Sequence, residues 1–305
     1  MHRFICRGAD GRIPGIEDHI ASLLIARGAD TYEKAQAFLH PSEKDLHDPM
    51  LLFGMDKALP LLKSAIARRA PIIVYGDYDC DGVCASAILV ETFNRLGAQV
   101  RAYIPHRKTE GYGLNEDAVR SLAGQGAVLI TVDCGITAVA EAQLCKELGI
   151  DLVITDHHEC KDVLPEAIAV VDPHRPDCRY PHDHLCGVGV AFKLACALCG
   201  SQEQVLAEYA DMVCLGTVAD VMPLVGENRV FVARGLELLK HTTRPGLAAL
   251  MAECNCAPDG VSASSIGFML APRINAAGRM GQIELAVELF QIGRASCRER
   301  VSPRV

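Results

Sequence analysis

Three aspartates on alternate positions, set directly after an apolar run, constrain this chain more than any other stretch. Residues 71–75 read as a buried strand. Gly76-Asp77-Tyr78-Asp79-Cys80-Asp81-Gly82 follows, and residues 83–90 have the character of a helix. An extended Asp-x-Asp-x-Asp places alternate side chains on one face. Three crowded carboxylates repel one another, and at neutral pH something positive must sit between them. A divalent cation held by carboxylates and water meets that need. Capping a helix N-terminus would require one aspartate, not three.

The rhythm around this stretch predicts the architecture. Helix 56–69 precedes it. Beyond it the pattern predicts helix 83–96, strand 99–104, a basic glycine-bearing loop 106–114 and helix 115–123. Strand 127–132, helix 137–148, strand 151–155 and an apolar run 167–171 come next. Apolar strands alternating with helices of this length indicate a parallel α/β sheet flanked by helices. Asp77, Asp79 and Asp81 follow one strand, Asp133 another, and Asp156-His157-His158 a third. Open parallel sheets form their sites beyond the carboxyl ends of strands. Carboxylates and imidazoles are therefore expected to gather on one rim.

The rest of the chain is read around that sheet. Residues 1–55 repeat apolar positions at helical intervals and lack an acidic cluster, as expected of a helical cap. Residues 188–199 and 202–218 read as helices. Asp220 then interrupts an apolar stretch, either as a helix cap or hydrogen-bonded group or as a ligand. Residues 228–255 are helical with a break at Arg244-Pro245-Gly246. Arg273, Asn275 and Arg279 fall among small residues in a composition that suits a phosphate-contacting turn or a polar loop with solvated arginines. The final 15 residues, 291–305, abandon the amphipathic pattern and look like a non-native tail on a truncated gene product.

The formal net charge of −8 argues against a protein whose main task is coating nucleic acid, while leaving room for a nuclease that engages phosphates through metals. The 14 cysteines fall mostly in apolar runs, as reduced core residues do. Cys196-x-x-Cys199 and Cys254-x-Cys256 are poor zinc pairs. The first residues lack an apolar segment of signal length and no run approaches a membrane span, so a cytoplasmic location, with no membrane partner, is expected.

The ordered set of motifs resembles the DHH phosphoesterase superfamily. The set runs from Gly76 to Gly82, then Thr131-Val132-Asp133-Cys134-Gly135, then Thr155-Asp156-His157-His158, then residues 216–223. Its RecJ branch of single-stranded-DNA exonucleases is suggested by Glu110-Gly111-Tyr112-Gly113-Leu114-Asn115, by residues 186–193 and 272–279, and by Leu46-His47-Asp48-Pro49. The resemblance covers roughly residues 40–290. It implies a DHH phosphoesterase domain over 56–225, preceded by the helical segment 1–55 and followed by a helical connector, 226–290, toward a missing DHHA1-type domain. It implies a manganese- or magnesium-dependent phosphodiesterase that removes nucleotides from the 5′ end of single-stranded DNA in repair and recombination. A helicase and a single-strand-binding protein are the partners it suggests, for a monomeric enzyme.

Carried over residue by residue, the resemblance makes Asp79, Asp81, Asp133, His157 and Asp220 metal ligands, with Asp133 shared between two ions. Asp156 would orient the neighbouring imidazole, and His158 would face the scissile phosphate. Two such ions about 3.5–4 Å apart polarise a phosphoryl oxygen and stabilise the leaving oxygen. Some DHH families carry a histidine where this chain has Tyr75, so either one metal position is expected to be weaker or Asp77 to substitute, and the two metal affinities to be unequal. Arg107, Lys108, Arg273, Asn275 and Arg279 are the expected DNA contacts. A DHH hydrolase of short oligonucleotides, cyclic dinucleotides or pyrophosphate, and an inactive nucleic-acid-binding fragment, are the alternatives.

Overall fold

The computed structural model describes residues 11–106 and 110–292. Helices α1 (Asp18–Ile25) and α2 (Tyr32–Leu39) form the amino-terminal segment and bury their own small cluster around Ile13, Ala21, Leu24 and Ala35. After α3 (Met55–Ala67) come β1 (Pro71–Gly76), α4 (Cys80–Arg95), β2 (Gln99–Tyr103), α5 (Glu116–Ser121), β3 (Val128–Val132), α6 (Val139–Glu147), β4 (Asp151–Thr155) and β5 (Ala169–Val171). The five strands form one parallel sheet in the order β2-β1-β3-β4-β5. This is the parallel α/β architecture that the sequence rhythm predicts.

Both faces of the sheet are covered, which is why its strands are nearly continuous in apolar residues. The period of two sorts them. Ile72, Val74, Val128, Ile130, Val132 and Val153 pack with α3, α4, α7 (Gly187–Cys199) and α8 (Gln202–Ala219). Ile73, Tyr75, Leu129, Leu152 and Ile154 face the opposite way, onto α5 and α6.

The carboxyl-terminal part is helical: α9 (Gly226–Lys240), α10 (Pro245–Glu253), the short turn α11 (Ala263–Ser265), α12 (Ala271–Met280) and α13 (Ile283–Gln291). Its apolar faces join the same buried cluster as α4, which extends without a break from Leu52 to Phe290. The segment around His47 is tied to this body through a buried ion pair. Lys193 Nζ lies 2.5 Å from Glu227 Oε1 and donates to the His47 carbonyl at 2.8 Å. The His47 backbone N–H donates to the same Glu227 oxygen, and Tyr180 donates to its other one. Among the described residues, no helix is long and apolar enough to cross a membrane.

Two expectations need correction. The aspartate stretch is not extended: α4 begins at Cys80, three residues earlier than the apolar run suggests. Asp79 caps the helix, its Oδ1 accepting from the N–H groups of Asp81 and Gly82 at 2.9 and 3.0 Å. An aspartate offers the strongest local partner for those orphan donors, so the helix starts there. The second correction concerns residues 272–279. They are helical, within α12, rather than a turn, because Pro272 sits in the first turn where a missing N–H breaks no bond.

Candidate metal centre

The sheet order reverses at β1: β2 lies on one side of it and β3 on the other. Ligand crevices open beyond the carboxyl ends of strands at such a switch. Asp77 stands immediately past β1 and Asp133 immediately past β3. Asp156 and His157 leave β4 beside them, and Asp220 arrives at the carboxyl end of α8. Asp133 holds a left-handed backbone, φ 59°, which aspartate tolerates better than most residues.

The side chains converge into overlapping groups, the ligand atoms of each within 4.8 Å of one another. Asp77, Asp79 and Asp133 form an all-carboxylate group. Asp81, His157 and Asp220 form a mixed one, and Asp133 also meets His157 and His158. His157 Nε2 lies 3.0 Å from Asp133, and 3.8 Å from both Asp81 and Asp220. All five residues expected as metal ligands are therefore brought together, and the contact between Asp133 and His157 links the all-carboxylate group to the mixed one. Asp77 joins them through its group with Asp79 and Asp133.

Burial sets the electrostatics. It pushes Asp77 up to about 7, with help from the Asp79 charge, and Asp81 up to about 8, with help from Asp79 and Asp220. Asp133 is driven well above the usual carboxylate range by its burial and by Asp81, and Asp220 rises to about 6 through burial and Asp79. Burial lowers His157 to about 4, so its imidazole is neutral, the form that binds metals. Its Nε2 lies against Asp133, a carboxyl whose ionisation burial also opposes.

The residues fit a divalent cation. Asp77 Oδ1 is buried with no hydrogen-bond partner, in a ring of carboxylates that oppose one another's ionisation. Oxygen donors with one or two imidazoles suit Mn²⁺ or Mg²⁺ rather than a thiophilic ion.

Behind the ligands, the backbone holds them in place. Both oxygens of Asp81 accept from the amino end of α7, from Gly187 N–H at 2.7 Å and Val188 N–H at 2.9 Å. Asp156 accepts from the Ile136 N–H through one oxygen, and through the other from the His157 N–H and the His158 ring Nδ1, the latter at 2.7 Å. The imidazole that it orients is thus the ring of His158. That bond raises His158 to about 9 against the effect of burial, so the ring carries a positive charge on the open side of the centre. Burial opposes ionisation of Asp156, but the His158 bond holds it below its ordinary value. His174 Nδ1 donates to the His157 carbonyl at 2.5 Å, and Asp172 accepts from the His174 N–H.

Glycine is required where helices press on the ligands. A Cβ at Gly187 would stand 2.5 Å from Asp133 Cβ, and one at Gly216 would stand 2.5 Å from Asp81 Oδ1. Gly187→Ala is expected to weaken Mn²⁺ binding by about tenfold or more, measured calorimetrically, with the far-ultraviolet dichroism of the fold retained.

The expected DNA contacts separate. Arg107 and Lys108 lie outside the described residues. Arg273 is exposed on α12 and donates to the Met269 carbonyl, and Arg279 is exposed near the end of that helix. Asn275 turns inward, its Oδ1 accepting from the Cys80 N–H at 2.7 Å, and so ties α12 to the aspartate turn. Gly278 permits that approach, since a Cβ there would meet the Tyr78 carbonyl at 2.7 Å. Sequence reasoning missed the roles of Asp172 and His174, although Asp172-Pro173 was visible at a strand end. It also missed the role of Tyr112, whose hydroxyl lies 3.4 Å from His158 Nε2.

Residues 71–217 match the model of the DHH family, N-terminal domain. The chain is 47% identical over 272 residues to the single-stranded-DNA-specific exonuclease RecJ of Bacillus subtilis, covering 89% of this chain and 34% of that protein. It is 38% identical over 268 residues to the Thermus thermophilus protein of the same name, covering 85% and 39%. The crystal structure of Thermus thermophilus RecJ in complex with Mn²⁺ superposes with a TM-score of 0.75 at 35% identity, covering 91% of this chain and 40% of that one. A manganese-bound exonuclease RecJ superposes with a TM-score of 0.71 at 38% identity, covering 82% and 63%. The chain thus spans about a third to two fifths of these two curated relatives. The chain belongs to the DHH family through the N-terminal domain matched over residues 71–217, which holds every ligand candidate of the centre except Asp220.

Proposed function

We propose that the chain is the phosphodiesterase core of a metal-dependent exonuclease that shortens single-stranded DNA from its 5′ end. The observation that carries this reading is the convergence of three overlapping ligand groups, Asp77-Asp79-Asp133, Asp133-His157-His158 and Asp81-His157-Asp220. The RecJ likeness, at 47% identity over nearly the whole chain, supplies the substrate class.

Asp77, Asp79 and Asp133 would hold one ion, and Asp81, His157 and Asp220 the other, Mn²⁺ or Mg²⁺. Bound there, the ions neutralise phosphate charge and lower the pKa of water. The chain's own residues do the rest. Asp156 fixes the His158 ring and keeps it protonated, so that its outward nitrogen can donate to a non-bridging phosphate oxygen. The α7 N–H groups hold both Asp81 oxygens. The all-carboxylate and mixed donor sets differ in charge and hardness, and two unequal binding steps in a Mn²⁺ titration are the expected result.

The test uses single strands labelled at the 5′ or the 3′ end, incubated with Mn²⁺. Immediate release of labelled mononucleotide from the 5′-labelled strand alone is expected, and lost with chelator. Hydrolysis restricted to di- to tetranucleotides would instead assign the core to a short-oligonucleotide hydrolase.

A further inference from the structure

Tyr75 lies near the end of β1, on the face of the sheet that packs onto α5 and α6. It is fully buried, and its ring stacks on Tyr103, its register partner across β1 and β2, with centroids 5.1 Å apart and planes 13° from parallel. Each hydroxyl holds one end of the segment 110–115. Tyr75 donates to the Gly113 carbonyl at 2.8 Å and accepts from Asn115 Nδ2 at 2.9 Å. Tyr103 donates to Glu110 Oε1 at 2.5 Å, and the other Glu110 oxygen accepts from the His106 N–H. Asn115 is locked in orientation, because its Oδ1 caps α5 by accepting from Ala118 N–H at 2.8 Å.

Tyr112 lies between the two anchored ends. It is flanked by Gly111 and Gly113, both left-handed at φ 84° and 79°, and no atom crowds either glycine. Such a backbone is intrinsically permissive and takes a single shape only when tied down. Tied down, it sets the half-exposed Tyr112 ring edge-on to His158 at 6.3 Å and to Tyr78 at 6.2 Å.

We propose that Tyr75, with Tyr103, is a positioning residue: the stacked pair pins the 110–115 segment so that Tyr112 stands over the open side of the metal centre beside His158. Tyr75 itself binds no metal. The role of that position for substrate rests on the exonuclease reading, but the pinning does not.

Tyr75→Phe keeps the ring and its stacking and removes only the hydroxyl. The expected result is hydrogen exchange of the amides of 110–115 about tenfold faster, the scale of one buried hydrogen bond, with the β1 and β3 amides unchanged. Mn²⁺ affinity stays within about twofold, and KM for a single-stranded oligonucleotide rises about tenfold with kcat preserved. Tyr103→Phe, at the more accessible edge strand, reproduces the effect from the other end of the segment. Unchanged exchange at 110–115 in both variants overturns the proposal. So does loss of Mn²⁺ binding in Tyr75→Phe, which would return the residue to the ligand set, or a fall in kcat with KM unchanged. A wild-type chain without nuclease activity would end the exonuclease reading, while the exchange and Mn²⁺ measurements would still decide the pinning.

Discussion

Asp133→Asn is expected to lower Mn²⁺-dependent hydrolysis at least about a thousandfold, the kinetic equivalent of several kcal/mol of lost charge stabilisation. Asp133 stands in the all-carboxylate group with Asp77 and Asp79 and in a second group with His157 and His158, so its neutral amide weakens both. The same substitution is expected to stabilise the metal-free protein. Asp133 is buried among Asp77, Asp79 and Asp81, and its ionisation is opposed by desolvation and by those charges. Asparagine keeps the shape and tolerates the left-handed backbone. A gain of about 1 kcal/mol or more corresponds to a melting temperature about 2–4 °C higher in chelator.

The wild-type protein should show the complementary behaviour. Mn²⁺ at a hundred times its dissociation constant adds about 2.7 kcal/mol, a shift that the variant lacks. In chelator, Asp77, Asp81 and Asp220 bind protons more tightly folded than unfolded, with folded values of about 7, 8 and 6. The folded state then holds more protons over that range, so stability falls as pH rises from about 4 to about 8. A thermal-melt series with and without Mn²⁺ checks each of these. A metal-free melting temperature that falls in Asp133→Asn would contradict the account of a strained, cation-requiring cluster.

The largest stability effect is expected away from the site, at Arg244. Its guanidinium is 2% exposed at the start of α10. It donates to Asp211 at 2.9 Å and Glu91 at 3.1 Å, and to the carbonyls of Phe290 and Glu208. It thereby joins α8, α4 and α13. Arg244→Met removes the cation between two buried carboxylates and should destabilise by about 3–5 kcal/mol, read from urea midpoints. Replacing the group as a whole, as Arg244→Met with Asp211→Asn and Glu91→Gln, removes the charges together and should recover most of the loss. A triple variant no more stable than the single one would place the energy in the carbonyl contacts instead.

How much of the centre can be read from the chain alone depends on how local each interaction is. Asp77, Asp79 and Asp81 lie within one strand-to-helix turn, and Asp133 and His157 stand at the ends of strands whose apolar runs are plain in the sequence. The rule that parallel sheets present their carboxyl ends together is enough to gather them. Asp220 is ambiguous because its neighbours come from two distant segments, Asp79 and Asp81 in one and His157 and His158 in the other. The bond of Asn275 to Cys80 is hidden for a similar reason, since it crosses 195 residues. No pattern near Arg273 and Arg279 reveals that the asparagine between them faces the protein.

The sequence by itself determined the sheet, the order of its acidic strand ends, the need for a cation and the family. These follow from hydrophobic period and from charges crowded within a few residues, both properties of neighbours along the chain. Only the tertiary structure decided that Asp79 is also a helix cap, and that α7 presents two N–H groups to Asp81 across 106 and 107 residues. It also decided that Gly187 and Gly216 are glycines because carboxylates stand where a Cβ would be, and that the Tyr75 hydroxyl bonds to Gly113 and Asn115. Each of these depends on the distance between groups remote in sequence, which packing sets and local composition does not encode.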